Sequence, residues 1–318
     1  MRYAAVGFWL FGMTLTGLAG EGLQGPVTGY VFDSRQATIR PIEGLPGSAR
    51  LGAGLEVGQA LAACEVSSPE RLALCRAGEE GTWLMVAWAG GAVRTWEVAG
   101  LAGAAEKILF RADGRRAVVH FGSGEEANGR LVWLRDPATN GTVSTSQETG
   151  PGWQLLAIEP EGDRVLMTNG RDLWVVDPSI GSQRVASGLS LSAAVFSREG
   201  GVYFADKETG EIWKLPRAEM GSEAIRVMTP ADGVAKPMAV AACEAADGEQ
   251  VVMVDGTAAH VEVLRSHGQR WESLPVWGQP NRMATLGRDG LYVLNQPGQG
   301  PLLLFDCAAR AVFFVPVD

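Results

Sequence analysis

Apolar and polar residues alternate along this chain in short runs broken by glycine, proline and charged residues. The clearest case is VYFADKETGEIWKLP, residues 202–216, in which Val202 to Ala205 and Ile212 to Leu215 flank a charged turn ending at Gly210. A period of two marks a strand with one face buried, and two such runs around a short polar turn form a hairpin. Beyond the N-terminal segment, no apolar pattern of helical period continues past about ten residues, which disfavours a parallel α/β fold.

The hairpin has relatives. GRLVWLRDP starts at Gly129, GRDLWVVDP at Gly170 and GEIWKLP at Gly210, each placing a Trp (Trp133, Trp174, Trp213) three or four residues after its glycine. Gly81, Gly256 and Gly300 precede further apolar strands, so the series 81, 129, 170, 210, 256, 300 advances by 48, 41, 40, 46 and 44. A second register consists of acidic–Gly turns at Gly114, Gly162, Gly200, Gly248 and Gly290, with Ser67-Ser68-Pro69-Glu70 as a chemically different first member. The offset of 179 between ALAACE at 60–65 and AVAACE at 239–244 is about four repeats. A period near 44 with four short strands per unit predicts a β-propeller blade, labelled a to d from the axis outwards. Residues 202–216 are then strands b and c of a middle blade.

Residues 31–42, VFDSRQATIRPI, resemble the segments at 175–186 and 304–317, each a strand ending in Asp followed by a turn and a second strand. They read as a c–d hairpin without an a–b partner, to which residues 45–57 could add a strand. The expected fold is therefore an all-β propeller of about seven four-stranded blades, with six blades and an N-terminal extension as the alternative. The Ala-Asp turn between two apolar strands resembles the NHL and YVTN families of propeller repeats. That likeness covers most of the chain, implies ligand or partner binding, and transfers no functional residue, because function does not follow from fold.

The N-terminus differs from the rest. Arg2 precedes an apolar run from Tyr3 to Leu15, then Gly17, Ala19 and Gly20 follow. This order of charge, short apolar core and small residues reads as a secretory signal peptide over 1–20, leaving 21–318 as one propeller domain; a buried N-terminal helix is the other reading. The run is short for a membrane span, which needs about 20 apolar residues. Without Arg2 the net charge of −9 becomes −10 (−9 minus +1), and no basic stripe offsets it, so nucleic acid is an unsuitable partner. The expected product is a secreted or periplasmic monomer.

Export makes disulfides possible. With the turn centred between Pro69 and Glu70, antiparallel pairing sets Cys64 opposite Cys75, within bonding range, although two buried thiols would fit equally. Cys243 and Cys307 fall on non-equivalent strands of different blades and are expected to be reduced. There is no CxxC, HExxH or GxSxG motif. His120, His260 and His267 read as core, surface or turn residues. Gly122 to Gly129 holds two carboxylates and an amide but lacks the regular alternation of a calcium loop. Asn140-Gly141-Thr142 matches a glycosylation acceptor and equally an Asn-Gly turn.

No catalytic residue, metal ligand or cofactor is assigned. Candidate contact residues lie where d–a and b–c connections meet at one mouth of the channel: Trp153, Trp277, Gln279, Asn281, Arg282 and Asp206. Aromatic caps over blade ends are the competing explanation. The leading function is a protein- or glycan-binding scaffold without catalysis; the alternative is a propeller hydrolase or lactonase with a divalent metal held in the channel.

Overall fold

In a computed structural model of the chain, residues 25–317 are described, apart from 79–80, 123–127, 140, 233–234, 247, 258–259, 266–270, 287–289 and 298–299. The expected signal peptide over 1–20, His267, most of the acidic loop after Gly122 and Asn140 lie outside the described residues. The rest form seven antiparallel sheets in chain order. Six have four strands, occupying 61–97, 107–149, 154–186, 191–228, 237–275 and 284–315, and become blades 2 to 7. The sheet at Val27–Asp33, Thr38–Glu43 and Arg50–Leu51 has three and is blade 1. Among the described residues the only helix is one 3-10 turn, Pro230–Asp232.

Seven apolar clusters alternate with the seven sheets, one between each pair of neighbours. They explain a departure from the expected pattern. Strand b of blade 5, Val202–Asp206, is buried at every position rather than on alternate ones, because blades cover both its faces. Strand d of blade 3, Thr142–Thr149, lies at the rim and is mostly exposed. The strand-c tryptophans divide: Trp133 is fully buried, while Trp174 and Trp213 are half-buried and pack at the margins of clusters.

Blade 1 closes the ring chiefly by packing against both neighbours. Val31, Ile42 and Leu51 meet Leu286, Leu302 and Leu304 of blade 7. On the other side Ile39 joins Leu61, Ala73 and Val86 of blade 2. No strand is exchanged between the first and last blades among the described residues.

The direction of the first strand corrects the expected c–d assignment of 31–42. Its start at Gly29 lies against Ser68 and Leu286, near the a–b turns of blades 2 and 7. Its far end turns beside the beginning of strand a of blade 2, where the Leu61 N–H donates to the Ala37 carbonyl at 3.3 Å. It therefore runs opposite to the inner strands of its neighbours, as strand b does elsewhere. Val27–Asp33 is strand b, Thr38–Glu43 is strand c, and Arg50–Leu51, inside the segment proposed to add a strand, begins strand d. The misassignment has a physical cause: an Asp that accepts amide hydrogens from the following turn ends strands of both kinds, Asp206 in b and Asp177 in c.

Both cysteine pairs are bonded. Cys64 stands directly opposite Cys75 in the a–b ladder of blade 2, with Cα atoms 4.1 Å apart. The expectation that Cys243 and Cys307 are reduced fails: they form a disulfide, Cα–Cα 6.5 Å, tying strand a of blade 6 to the c–d turn of blade 7. Non-equivalent strands of adjacent blades meet face to face, which a comparison of repeats does not reveal.

Candidate functional site

With strand b innermost in blade 1, the inner ring is recessed there. A cavity of about 250 Å³ occupies the recess. Blade 1 lines it through Tyr30 and Phe32, blade 2 through Ala63 and Glu65, and blade 7 through Arg282 and Leu286. The backbone of strand b faces it. The Tyr30 N–H points away from strand c and donates to Ser68 Oγ at 2.9 Å. In an antiparallel ladder, residues two apart present their N–H and C=O to the same side, so Phe32 also faces inwards. The corresponding residue of blade 5, Ala205, directs its carbonyl to strand a, where Ser192 Oγ donates to it.

Charge gathers at the same place. Burial raises the Glu65 carboxyl above its ordinary range, opposed by Arg282 and then Lys107. Burial lowers the Lys107 ammonium, opposed by Glu65 and Glu106. Lys107 keeps exposed surface yet is closely surrounded by protein, which is how an exposed side chain comes to be desolvated. It spans two blades, its Nζ donating to the Leu156 carbonyl of blade 4 at 3.3 Å. Among the described residues the Arg282 Nε has no hydrogen-bond partner and is buried, as are seven other side-chain atoms of the chain. Arg282 and Glu65, one cation and one carboxylate, line the cavity itself, while Lys107 and its second partner Glu106 lie outside that lining.

The contact residues expected from sequence separate in space. Arg282 lines the cavity; its backbone N–H and that of Asn281 both donate to the Leu294 carbonyl, which fixes the blade 6–7 connection over strand b of blade 7. Trp277 stands exposed in that connection with 79 % of its surface free, and Gln279 and Asn281 are exposed beside it. Trp153 is half-buried and packs against Trp174, ring centres 5.0 Å apart, capping the interface of blades 3 and 4. Asp206 is 6 % exposed and accepts N–H groups from Glu208, Thr209 and Ser190, so it locks a turn to the d–a connection. Glu65 and Lys107 were not expected from sequence. Glu65 lies in an otherwise small and apolar strand, ALAACEV, where a lone carboxylate was the available signal.

Among the described residues no three His, Cys, Asp or Glu side chains cluster as metal ligands. His120, in strand b of blade 3, is buried with Glu106 Oε2 3.2 Å from its Nδ1; burial lowers its pKa and Glu106 opposes the shift. No described helix is long and apolar enough to cross a membrane.

A seven-bladed ring of antiparallel sheets belongs to the β-propeller class, and comparison with solved structures agrees. A functionally unknown protein from Desulfotomaculum acetoxidans is 12 % identical with a TM-score of 0.60, the match covering 91 % of this chain and 99 % of that one. PorZ, an essential surface component of the type-IX secretion system of Porphyromonas gingivalis, is 12 % identical with a TM-score of 0.56, over 89 % of this chain. This chain spans only 36 % of the PorZ length. Virginiamycin B lyase from Staphylococcus aureus is 12 % identical with a TM-score of 0.53, over 93 % and 96 % of the two chains. These likenesses are of fold. No protein-family model matches the chain, and neither does any curated protein.

Proposed function

We propose that this chain is an exported propeller, secreted or periplasmic, that binds a protein or glycan at its seam and carries out no catalysis there. The observation that carries the reading is the cavity between blades 7, 1 and 2, lined by Arg282 and Glu65 and by the inner edge of strand b of blade 1. A concave site with an unpaired strand edge and a few charged groups is the kind of place that a ligand completes. Trp277 stands exposed in the connection that delivers Arg282, an amphipathic ring of the kind enriched at binding surfaces. Two disulfides suit an oxidising compartment, as does the leader-like N-terminus.

The test is photo-crosslinking in the native cell with a crosslinking side chain at position 277, repeated on an Arg282→Gln background. A partner captured by the first and lost with the second supports binding at the seam. Capture that ignores Arg282, or its absence in both cells and a glycan array, contradicts it. N-terminal sequencing of the exported protein should begin at Gly20 or Glu21.

A further inference from the structure

We propose that the ligand of the seam is an extended segment of a partner protein, which pairs with strand b of blade 1 as its inner strand and sets a carboxylate against Arg282. The inference rests on the binding reading above and gives that site its ligand class.

Four observations converge. First, among the described residues strand b of blade 1 is the innermost strand of its sheet, whereas in blades 2 to 7 a further strand lies inside the corresponding one. Second, its inner edge is a hydrogen-bonding surface. The Tyr30 N–H is held by Ser68 Oγ, which leaves the Tyr30 carbonyl and both backbone groups of Phe32 directed into the cavity. An unpaired strand edge is a template for another chain, and adding a strand to such an edge is a recurrent mode of peptide recognition. Third, the flanking walls suit an extended backbone: Ala62 and Ala63 on one side and Ala284 on the other are small, and Leu286, Val66 and Val293 are apolar. Fourth, Arg282 lines the cavity at the d–a end, where a strand running like the other inner strands would begin. Pairing a guanidinium with a carboxylate out of bulk water strengthens both charge and hydrogen bond. The segment is thus about three residues paired to Tyr30 and Phe32, apolar and small where it packs, with Asp or Glu at its leading end.

The experiment uses random eight-residue peptides displayed on phage and selected on a chain beginning at Gly25. Selected peptides should share an acidic residue ahead of alternating small and apolar ones. Synthesised singly, they should lose at least tenfold in affinity on Arg282→Gln. They should lose as much on Phe32→Pro, which removes an N–H facing only the cavity. Should Phe32→Pro not fold, amide hydrogen exchange of the wild-type chain replaces it: a bound peptide should slow the Phe32 amide at least tenfold.

Failure to enrich any peptide overturns the proposal. So do peptides that bind Phe32→Pro as wild type while losing affinity on Trp277→Ala, although these leave the binding reading standing. Oligosaccharides that require Arg282 but leave the Phe32 amide unprotected would assign the seam to a glycan instead. Binding to the chain from Gly25 that disappears in the chain from Met1 would put the protein's own leading residues in the groove and overturn the assignment to a partner.

Discussion

Blade 5 and blade 1 are built on the same hairpin and solve one problem differently. In blade 5 the Asp ending strand b, Asp206, uses one carboxylate oxygen for the turn amides of Glu208 and Thr209 and the other for Ser190, on the approach to strand a. In blade 1 the corresponding Asp33 binds the turn amides of Arg35 and Gln36 in the same way. Its second oxygen instead meets Arg40 Nη1 at 3.2 Å. Arg40, only 5 % exposed, also donates from Nε to the Gly52 carbonyl and from Nη2 to that of Leu51. A buried arginine thus does within three strands what the approach to strand a does in four. Satisfying the Asp that ends strand b and completing the sheet are separable, and among the described residues blade 1 has the first without the second.

The harshest way to break the comparison is to remove residues 21–44, which takes strands b and c of blade 1. Two apolar clusters would each lose a wall, and a sheet face would be left open on either side. Loss of the cooperative thermal transition is expected; an unchanged Tm would show that blade 1 does not close the ring. Arg40→Met comes next. It leaves Asp33 buried opposite an apolar chain and should cost about 3–5 kcal/mol, the range for breaking a buried ion pair from one side. Asp206→Asn keeps an acceptor for its turn and should cost about 1–2 kcal/mol. Urea unfolding of both variants would invert the comparison if Asp206→Asn proved the more damaging.

The disulfides sharpen it further. Cys243–Cys307 closes a loop of 64 residues across two blades, and Cys64–Cys75 one of 11 within a blade. Chain entropy assigns them about 4 and about 3 kcal/mol. The double Ala variant of the first pair should therefore melt below that of the second; the reverse order would show that the bond between blades is dispensable.

The smallest effect is a pH dependence from inside a complete blade. The His120 pKa is depressed by burial, with Glu106 opposing. The unfolded chain then binds more protons than the folded one between the depressed value and the ordinary 6.5, so this residue's contribution is present above pH 6.5 and lost as pH falls through that window. Stability of wild type should fall from pH 6.5 downwards relative to His120→Gln; parallel curves would mean that His120 titrates alike in both states.

The ring was legible because its punctuation is local. Most of the acidic–Gly turns use a residue tolerant of positive φ: Gly114 and Gly200 adopt it, at +64° and +82°, while Gly162 does not. Six repeats therefore fell in place, and Cys64 faced Cys75 by counting back from one turn. What depends on neighbours in space was illegible. The Asp33 turn is the same whether a strand inside it exists or not, so strand b was taken for strand c. Cys243 and Cys307 meet only when two blades stack. Glu65 and Arg282 come from opposite ends of the chain, and only ring closure brings their fields together. Trp153 and Trp277 occupied similar glycine- and proline-rich connections, yet one is packed and the other exposed, because only Trp153 has a neighbouring ring to lie against.

The account depends on an open inner edge at blade 1, and amide hydrogen exchange resolved by residue measures that most directly. Phe32 and Ala205 occupy the same place in strand b of blades 1 and 5. Ala205 is paired to strand a, whereas Phe32 faces the cavity. In the unliganded chain the Phe32 amide should exchange roughly a hundredfold or more faster than that of Ala205. Equal protection of the two would mean that blade 1 has an inner strand after all, and the seam would not be a site.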